Sequence, residues 1–120
     1  MSRALANPVV HLELWTANLS RACAFYTELF DWEAATVQAA GGAYLALELG
    51  AAIRGGVVER ENEQDVWLPY VEVADVNDAT ARGRGLGAAV VLEPREGPAG
   101  WRSVLAAPAG ARIALWQPKG

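Results

Sequence analysis

Cysteine is almost absent from this sequence: the 120 residues include one cysteine, one histidine and one methionine. A single cysteine excludes an internal disulfide, which is typical of the reducing cytoplasm, and we predict that location. No apolar run approaches the ~20 residues of a membrane-spanning helix, and the first residues lack the apolar stretch of a signal peptide. The net charge is −4 and no basic cluster is present, so we expect neither a membrane nor a nucleic acid as partner.

The chain is rich in apolar residues. Hydrophobic residues make up 52% of the 120 positions, against about 45–50% in ordinary globular proteins. This length supports one domain with a real core but not two independent domains. Alanine, glycine and arginine are abundant and lysine is rare. This bias is typical of GC-rich bacterial genomes, so we expect a bacterial protein.

One short pattern occurs twice. Asn18, a good helix N-cap, follows the strand-like segment HLELWT and precedes apolar residues at helical spacing. Asp75 follows LPYVEV and precedes a similar but weaker pattern. The segment GAAIR at 50–54 likewise resembles GARIA at 110–114. Two copies are too few for a solenoid, which needs several repeats to bury a core. The sequence therefore predicts a single domain, residues 1–120, made of two related modules.

Each module is predicted to contain a strand, a helix and three further strands. In the first, at about residues 8–59, alternation and turn residues predict strands at Val9–Thr16, Trp32–Val37, Tyr44–Leu49 and Ala52–Glu59 and a helix at Asn18–Phe30. In the second, at about residues 66–118, the strands are Val66–Ala74, Ala88–Leu92, Trp101–Ala107 and Arg112–Gln117 and the helix is Asp75–Arg84. Arg60–Asp65 is predicted as a connector, and the Pro- and Gly-rich segment 93–100 as an irregular loop. The predicted fold class is α+β: two β-α-β-β-β modules forming cupped mixed sheets around a cavity, with the helices outside.

This arrangement resembles the vicinal oxygen chelate superfamily, which includes glyoxalase I, bleomycin-resistance proteins, fosfomycin-resistance enzymes and extradiol dioxygenases. The resemblance is carried by Asn18-Leu19, Phe25-Tyr26, Leu29-Phe30 and Trp32, and then by Tyr70–Val73, Asp75-Val76, Pro108–Gly110 and Ala114–Pro118. It covers nearly the whole chain and is specific for the fold. It says little about activity, because the superfamily hosts many unrelated reactions.

The resemblance also implies where metal ligands would lie, and most are missing. Metal-dependent members place a histidine seven residues before each helix cap and a glutamate late in each module. His11 matches the first position, whereas the other three are Leu68, Arg54 and Ala114. Leucine and alanine have no donor atoms, arginine is a cation, and one imidazole does not make a metal site. We therefore predict no metal and no other cofactor, although Glu13 and Glu48 leave a shifted metal site open.

Strand alternation predicts which side chains line the cavity. The candidate ligand-binding residues are His11, Glu13, Trp15, Tyr44, Arg54, Leu68, Tyr70, Arg112 and Trp116. An apolar, aromatic lining with a few charged groups is the usual composition of a small-molecule pocket. Each residue also has a structural interpretation: the tryptophans as core or dimer contacts, the arginines as ion-pair partners of nearby glutamates, and His11 as a hydrogen-bonding cavity residue. We assign no catalytic residue, and Cys23 on the helix is expected to be inert.

The sequence and the resemblance leave three candidate functions. The first is a metal-independent binding protein that sequesters a bulky, aromatic natural product or antibiotic, as the bleomycin-resistance proteins do. The second is a metal-free isomerase, cyclase or lyase of secondary metabolism, with His11 or Glu13 as general base and Tyr70 or Arg54 polarising a carbonyl. The third, a glyoxalase- or dioxygenase-type metalloenzyme, is opposed by the missing ligands. The resemblance further implies a homodimer, the commonest symmetric oligomer.

Overall fold

The structure is a computed structural model, and it describes residues 7–39, 42–49, 53–60 and 65–119. Contacts divide the chain into a first unit, His11–Leu68, and a second unit that combines the described residues up to Val10 with those from Pro69 onward. The elements are β1 (Val9–Thr16), α1 (Leu19–Phe30), β2 (Glu33–Ala39), β3 (Gly42–Glu48), β4 (Arg54–Glu59), β5 (Val66–Glu72), α2 (Val76–Gly85), β6 (Ala89–Glu96), β7 (Gly100–Ala106) and β8 (Arg112–Pro118). That the two units form a single domain stays a prediction.

In the first unit, four strands pair in the order β2-β3-β4-β1. β1 runs parallel to β4, with His11 opposite Arg54, and the other two pairs are antiparallel. The core under α1 contains Leu14 and Val57, both 0% exposed, together with Ala22 and Leu47. Its apolar side chains come from alternate strand positions, so the opposite face of the same strands is left for other residues.

Helix α1 begins where the sequence predicts. The Asn18 side chain accepts a hydrogen bond from the backbone N–H of Arg21 at 3.0 Å, which satisfies one of the amides left unpaired in a first helical turn. Asp31 ends the helix in the left-handed region, with φ 58°. Only Ala22 of this helix is buried, whereas Phe25 and Leu29 are 59% and 56% exposed. Helical spacing places Leu29 and Phe30 on the same face as Ala22, so the sequence pattern predicts burial for both; this is wrong, because Leu29 and Phe30 are exposed.

The second unit repeats the arrangement of the first. Its strands pair in the order β5-β8-β7-β6, with β5 parallel to β8 and the remaining pairs antiparallel. Asp75 caps α2 by accepting from the backbone N–H of Asp78 at 2.9 Å. Val76, Leu105 and Leu115 form the core beneath this helix. The predicted α+β class with two β-α-β-β-β modules is confirmed.

Strand β6 is longer than the sequence predicts. It continues through Pro94 to Glu96, although the sequence predicts an irregular loop from Glu93 onward. The pairing of β6 with β7 shifts register between Val90 and Leu92 and again between Leu92 and Arg95. Proline is tolerated at such irregularities and on edge strands, where its missing N–H costs no ladder hydrogen bond. Among the described helices, none is long and apolar enough to cross a membrane.

Candidate functional site

In the first unit, the face of the sheet away from α1 carries the only histidine of the chain. A Cβ built on Gly56 would lie 3.6 Å from Nε2 of His11, so the imidazole lies over this glycine of the neighbouring strand. The same period-two alternation places Glu13 and Trp15 on this face, because Leu14 between them is in the α1 core. Leu68 also points away from α1, since the preceding Trp67 donates to the Tyr26 hydroxyl on that helix at 3.3 Å.

Glu13 lies between an imidazole and an indole. Nε1 of Trp15 donates to Oε1 of Glu13 at 2.7 Å, and Nε2 of His11 is 3.8 Å from Oε2. Glu13 is 8% exposed and Trp15 3%, whereas the His11 side chain retains 26% of its exposure. A buried carboxylate needs hydrogen-bond donors in place of water. These three predicted residues therefore form one connected polar cluster on β1.

Arg60 joins this cluster, although it is not among the candidate residues predicted from the sequence. Its guanidinium carbon is 4.1 Å from the ring centroid of Trp15, within the range of a cation–π contact. Its backbone N–H donates to the carbonyl of Thr16 at 2.8 Å, and its Nε is buried without a hydrogen-bond partner among the described residues. Arg60 lies in the predicted connector, between the end of β4 at Glu59 and the start of β5 at Val66, but its side chain packs on Trp15 and is half-buried instead of solvated. Residues 61–64 of that connector lie outside the described residues. The signal was available, because Arg60 continues the alternation of Gly56 and Val58.

Two further predicted residues lie on this face at the β3–β4 side. Arg54 stands opposite both His11 and Glu48 in the strand registers, and its side chain is exposed. Tyr44 is half-buried and pairs with Val37 of β2. The predicted site of the first unit thus has a buried part around Glu13 and a more open part around Arg54.

In the second unit, two predicted aromatic residues meet on the face away from α2. The rings of Tyr70 and Trp116 are 6.4 Å apart between centroids and inclined at 53°. Tyr70 is 5% exposed. A Cβ at Gly100 would collide with the backbone carbonyl oxygen of Gln117 and lie 2.9 Å from the Trp116 ring, so both the strand pairing and the indole require glycine at this position. Aromatic pairs of this kind supply rigid apolar contact area.

Arg102 is a second residue of the site that is not among the candidates predicted from the sequence. Its Nη1 donates to the Tyr70 hydroxyl at 2.7 Å, and it stands opposite Trp116 in the β7–β8 register. Ser103 beside it faces α2, where its hydroxyl lies 2.7 Å from that of Thr80. Alternation alone therefore predicts Arg102 on the opposite face. Arg112 lies on the same face at the start of β8, opposite Ala106, and is half-buried.

The resemblance to the superfamily implies four metal-ligand positions, and two of them carry side chains that cannot bind a metal. Leu68 and Ala114 are both 0% exposed, and neither has a donor atom. Within residues 7–39, 42–49, 53–60 and 65–119, no three His, Cys, Asp or Glu side chains are grouped so that they could hold a metal ion. Glu13, which could have contributed to a shifted metal site, is instead bonded to the Trp15 indole.

Comparison with known proteins identifies a family and several structures of similar fold. Its residues 9–116 match the family described as glyoxalase-like domain. A hypothetical protein from Bacillus halodurans C-125 shares the fold with a TM-score of 0.70 at 14% identity over 97% of each chain. A methylmalonyl-CoA epimerase from Mycobacterium tuberculosis has a TM-score of 0.64 at 18% identity, over 93% of this chain and 88% of that one.

A methylmalonyl-CoA epimerase in complex with methylmalonyl-CoA and NH4+ has a TM-score of 0.66 at 20% identity, over 97% of each chain. No curated protein sequence matches the chain. At such identities the structural likeness establishes the fold alone, whereas the family match establishes family membership. This chain belongs to the glyoxalase-like domain family, which agrees with the glyoxalase resemblance of its sequence.

Proposed function

We propose that the protein is a metal-independent small-molecule-binding protein that sequesters a bulky, aromatic natural product or antibiotic without converting it. The observation that carries this proposal is the arrangement of Tyr70, Trp116 and Arg102 on the sheet face away from α2. A guanidinium donates to the phenol at 2.7 Å and stands opposite the indole in the strand register. Aromatic walls with a few fixed polar groups are typical of sites for drug-sized ligands.

Trp15 of the first unit does not add to this surface. Its side chain is 3% exposed, is bonded to Glu13 at 2.7 Å and has the Arg60 guanidinium over its ring at 4.1 Å. The half-buried Trp116 of the second unit is held against Tyr70, and rigid aromatic side chains give contact area with little loss of conformational entropy on binding. The second unit therefore favours a planar, apolar guest, which agrees with sequestration.

The structural neighbours support the class of ligand but not its identity. A methylmalonyl-CoA epimerase of similar fold is described in complex with methylmalonyl-CoA, and another, from Streptomyces coelicolor, with 2-nitronate-propionyl-CoA. These proteins show that the fold can hold a small molecule. Their identities to this chain are 20% and 18%, so their substrate is not transferred to it.

One observation favours the alternative, a metal-free isomerase, cyclase or lyase. Glu13 is 8% exposed and lies 3.8 Å from the His11 imidazole. A carboxylate or an imidazole in such a setting is a candidate general base for removing a proton from carbon. Arg54, opposite His11 in the strand register, would then stabilise the enolate oxygen that forms.

A fluorescence-quenching screen with aromatic natural products tests the proposal, since five tryptophans provide the signal. We expect saturable quenching by a planar guest, and mass spectrometry should recover that compound unchanged. Turnover that survives a chelator would replace sequestration with the metal-free enzyme. Incubation with methylmalonyl-CoA in deuterated water tests the activity named for the neighbours, and deuterium uptake at carbon would likewise overturn sequestration.

A further inference from the structure

Helix α1 presents a stripe of four exposed residues away from its core. The outer stripe, as we call it, consists of Arg21, Phe25, Glu28 and Leu29, whose spacing of i, i+4, i+7 and i+8 places them on one face. Phe25 is 59% exposed and Leu29 56%, and both charged residues are also exposed. The stripe therefore has an apolar centre with a cation toward its N-terminal end and an anion toward its C-terminal end.

These two charges oppose the dipole of their own helix. A helix favours acidic side chains in its first turn and basic ones in its last turn. α1 has no acidic residue in the first turn and no basic residue in the last. Instead Arg21 lies in the first turn and Glu28 in the last, the less favourable order for an isolated helix. A local preference broken in this way suggests that the charges serve a contact outside the helix.

The outer stripe is complementary to itself under a two-fold rotation. If two copies of α1 pack antiparallel about an axis between Ala24 and Phe25, Arg21 of each copy faces Glu28 of the other. The two Phe25 rings then lie next to each other at the centre. An isologous contact of this kind buries the same surface on both chains and closes after two subunits. We propose that α1 is the homodimer contact and that its occupant is the α1 of a second copy of this chain.

A groove beside α1 supplies the complementary shape. It has a volume of about 350 Å³ and is lined by Thr16, Asn18, Arg21, Ala22, Phe25, Tyr26 and Asp65. One wall of the groove is held in place, because the buried Thr16 hydroxyl donates to the Asp65 carboxylate at 2.7 Å. In the antiparallel arrangement, Leu29 of the second copy lies over this N-terminal half of α1. The exposed leucine of each chain thus enters the groove of the other.

Charge reversal tests the contact by sedimentation velocity. We expect the wild-type chain to associate as a dimer at micromolar concentration, whereas Arg21→Glu and Glu28→Arg each raise the dissociation constant roughly tenfold or more, because like charges then meet twice. An equimolar mixture of the two variants should dimerise again, since each new charge then faces its opposite. Both substitutions agree with the helix dipole, so circular dichroism should show that α1 is retained.

The control is Arg82→Glu on α2, which makes the same charge change outside the outer stripe and should leave the dissociation constant unaltered. A wild-type chain that stays monomeric throughout the concentration range overturns the proposal. So does a dimer that neither charge reversal weakens, or one that the mixture fails to restore. Ligand binding by the separate chains plays no part in this test, so its result is independent of the proposed function.

Discussion

Trp15 and Glu13 are joined by a hydrogen bond between side chains two positions apart on β1: the indole Nε1–H donates to Oε1 at 2.7 Å. Neighbouring side chains of a strand point to opposite faces, so residues i and i+2 share one face and can meet. Both residues are almost completely buried. The indole thus replaces part of the hydration that the carboxylate loses on folding.

Removing this donor should destabilise the first unit. Trp15→Phe keeps an aromatic ring but leaves a buried carboxylate with one partner fewer, which costs about 1–3 kcal/mol of unfolding free energy. Urea denaturation measures the loss. The same substitution at Trp101, which packs against the core under α2, should cost less. Equal losses at the two positions would contradict a specific role for the hydrogen bond.

Trp116 should contribute strongly to the affinity for a planar guest. Stacking on an aromatic side chain is worth about 1–3 kcal/mol by alanine substitution in nucleic-acid binders, so Trp116→Ala should weaken binding roughly five- to a hundredfold. Calorimetry measures this without depending on tryptophan emission. His11→Gln should matter less. If instead His11→Gln abolished a chemical conversion while affinity survived, the enzyme would be the better interpretation.

Metal removal should change neither stability nor ligand affinity. The side chains at two of the implied ligand positions, Leu68 and Ala114, are buried and have no donor atoms. Elemental analysis of the purified protein should find less than one metal ion per chain, and the melting temperature should be the same with and without a chelator. A divalent ion bound stoichiometrically at His11 would refute this prediction.

The contributions of the Thr80 and Ser103 hydroxyls to the free energy of unfolding should depend on each other. Thr80 and Ser103 lie 2.7 Å apart between hydroxyl oxygens, and both are buried. Thr80→Val alone leaves the buried Ser103 hydroxyl without this partner, at a cost of about 1–3 kcal/mol. Ser103→Ala alone should cost less, because the Thr80 hydroxyl still donates to the carbonyl of Val76. The double variant should lose clearly less than the two single losses added together. Simple additivity in denaturant unfolding would show that the two hydroxyls do not depend on each other.

Two glycines near the end of α2 should respond in opposite directions to alanine. Gly85 is helical and a Cβ there would meet nothing within 4 Å, so Gly85→Ala should stabilise by about 0.5–1 kcal/mol. Gly87 has φ +104°, and a Cβ there would lie 3.4 Å from Pro108. Gly87→Ala should therefore destabilise, since alanine rarely adopts positive φ. Thermal unfolding measures the melting temperature of both variants. Because both replace glycine with alanine, the difference between them reports the backbone conformation at each position.

The sequence predicts best those features that depend on local chemistry. The start of each helix follows from the capping side chains of Asn18 and Asp75, both of which accept the expected backbone hydrogen bond. β1 has the predicted bounds because its alternation is regular and a polar cap follows it. The faces of His11, Tyr70 and Trp116 follow from the same alternation. Whether these residues bind a ligand is a separate question and stays a prediction.

What the sequence does not predict depends on distant partners. Pro94 lies in the segment 93–100 that the sequence predicts as a loop, yet the irregular pairing with β7 lets the strand continue through it. Arg60 reads as a solvated connector residue, and only the folded chain brings it over Trp15. The apolar side of α1 looks uniform in sequence, whereas the sheet covers Ala22 and leaves Leu29 exposed. In each case the outcome is decided by a contact that the local pattern does not contain.

Within each unit, the strand that is synthesised first pairs with the strand that is synthesised last. His11 lies opposite Arg54, and Tyr70 opposite Ala114, so the partners are about forty residues apart in sequence. During translation, the first unit acquires its closing strand while the part of the second unit from Pro69 onward has not yet been synthesised. β8 pairs with both β5 and β7, so a premature stop before residue 112 would remove an inner strand. Protease susceptibility of the nascent chain should therefore persist in the second unit until synthesis is almost finished.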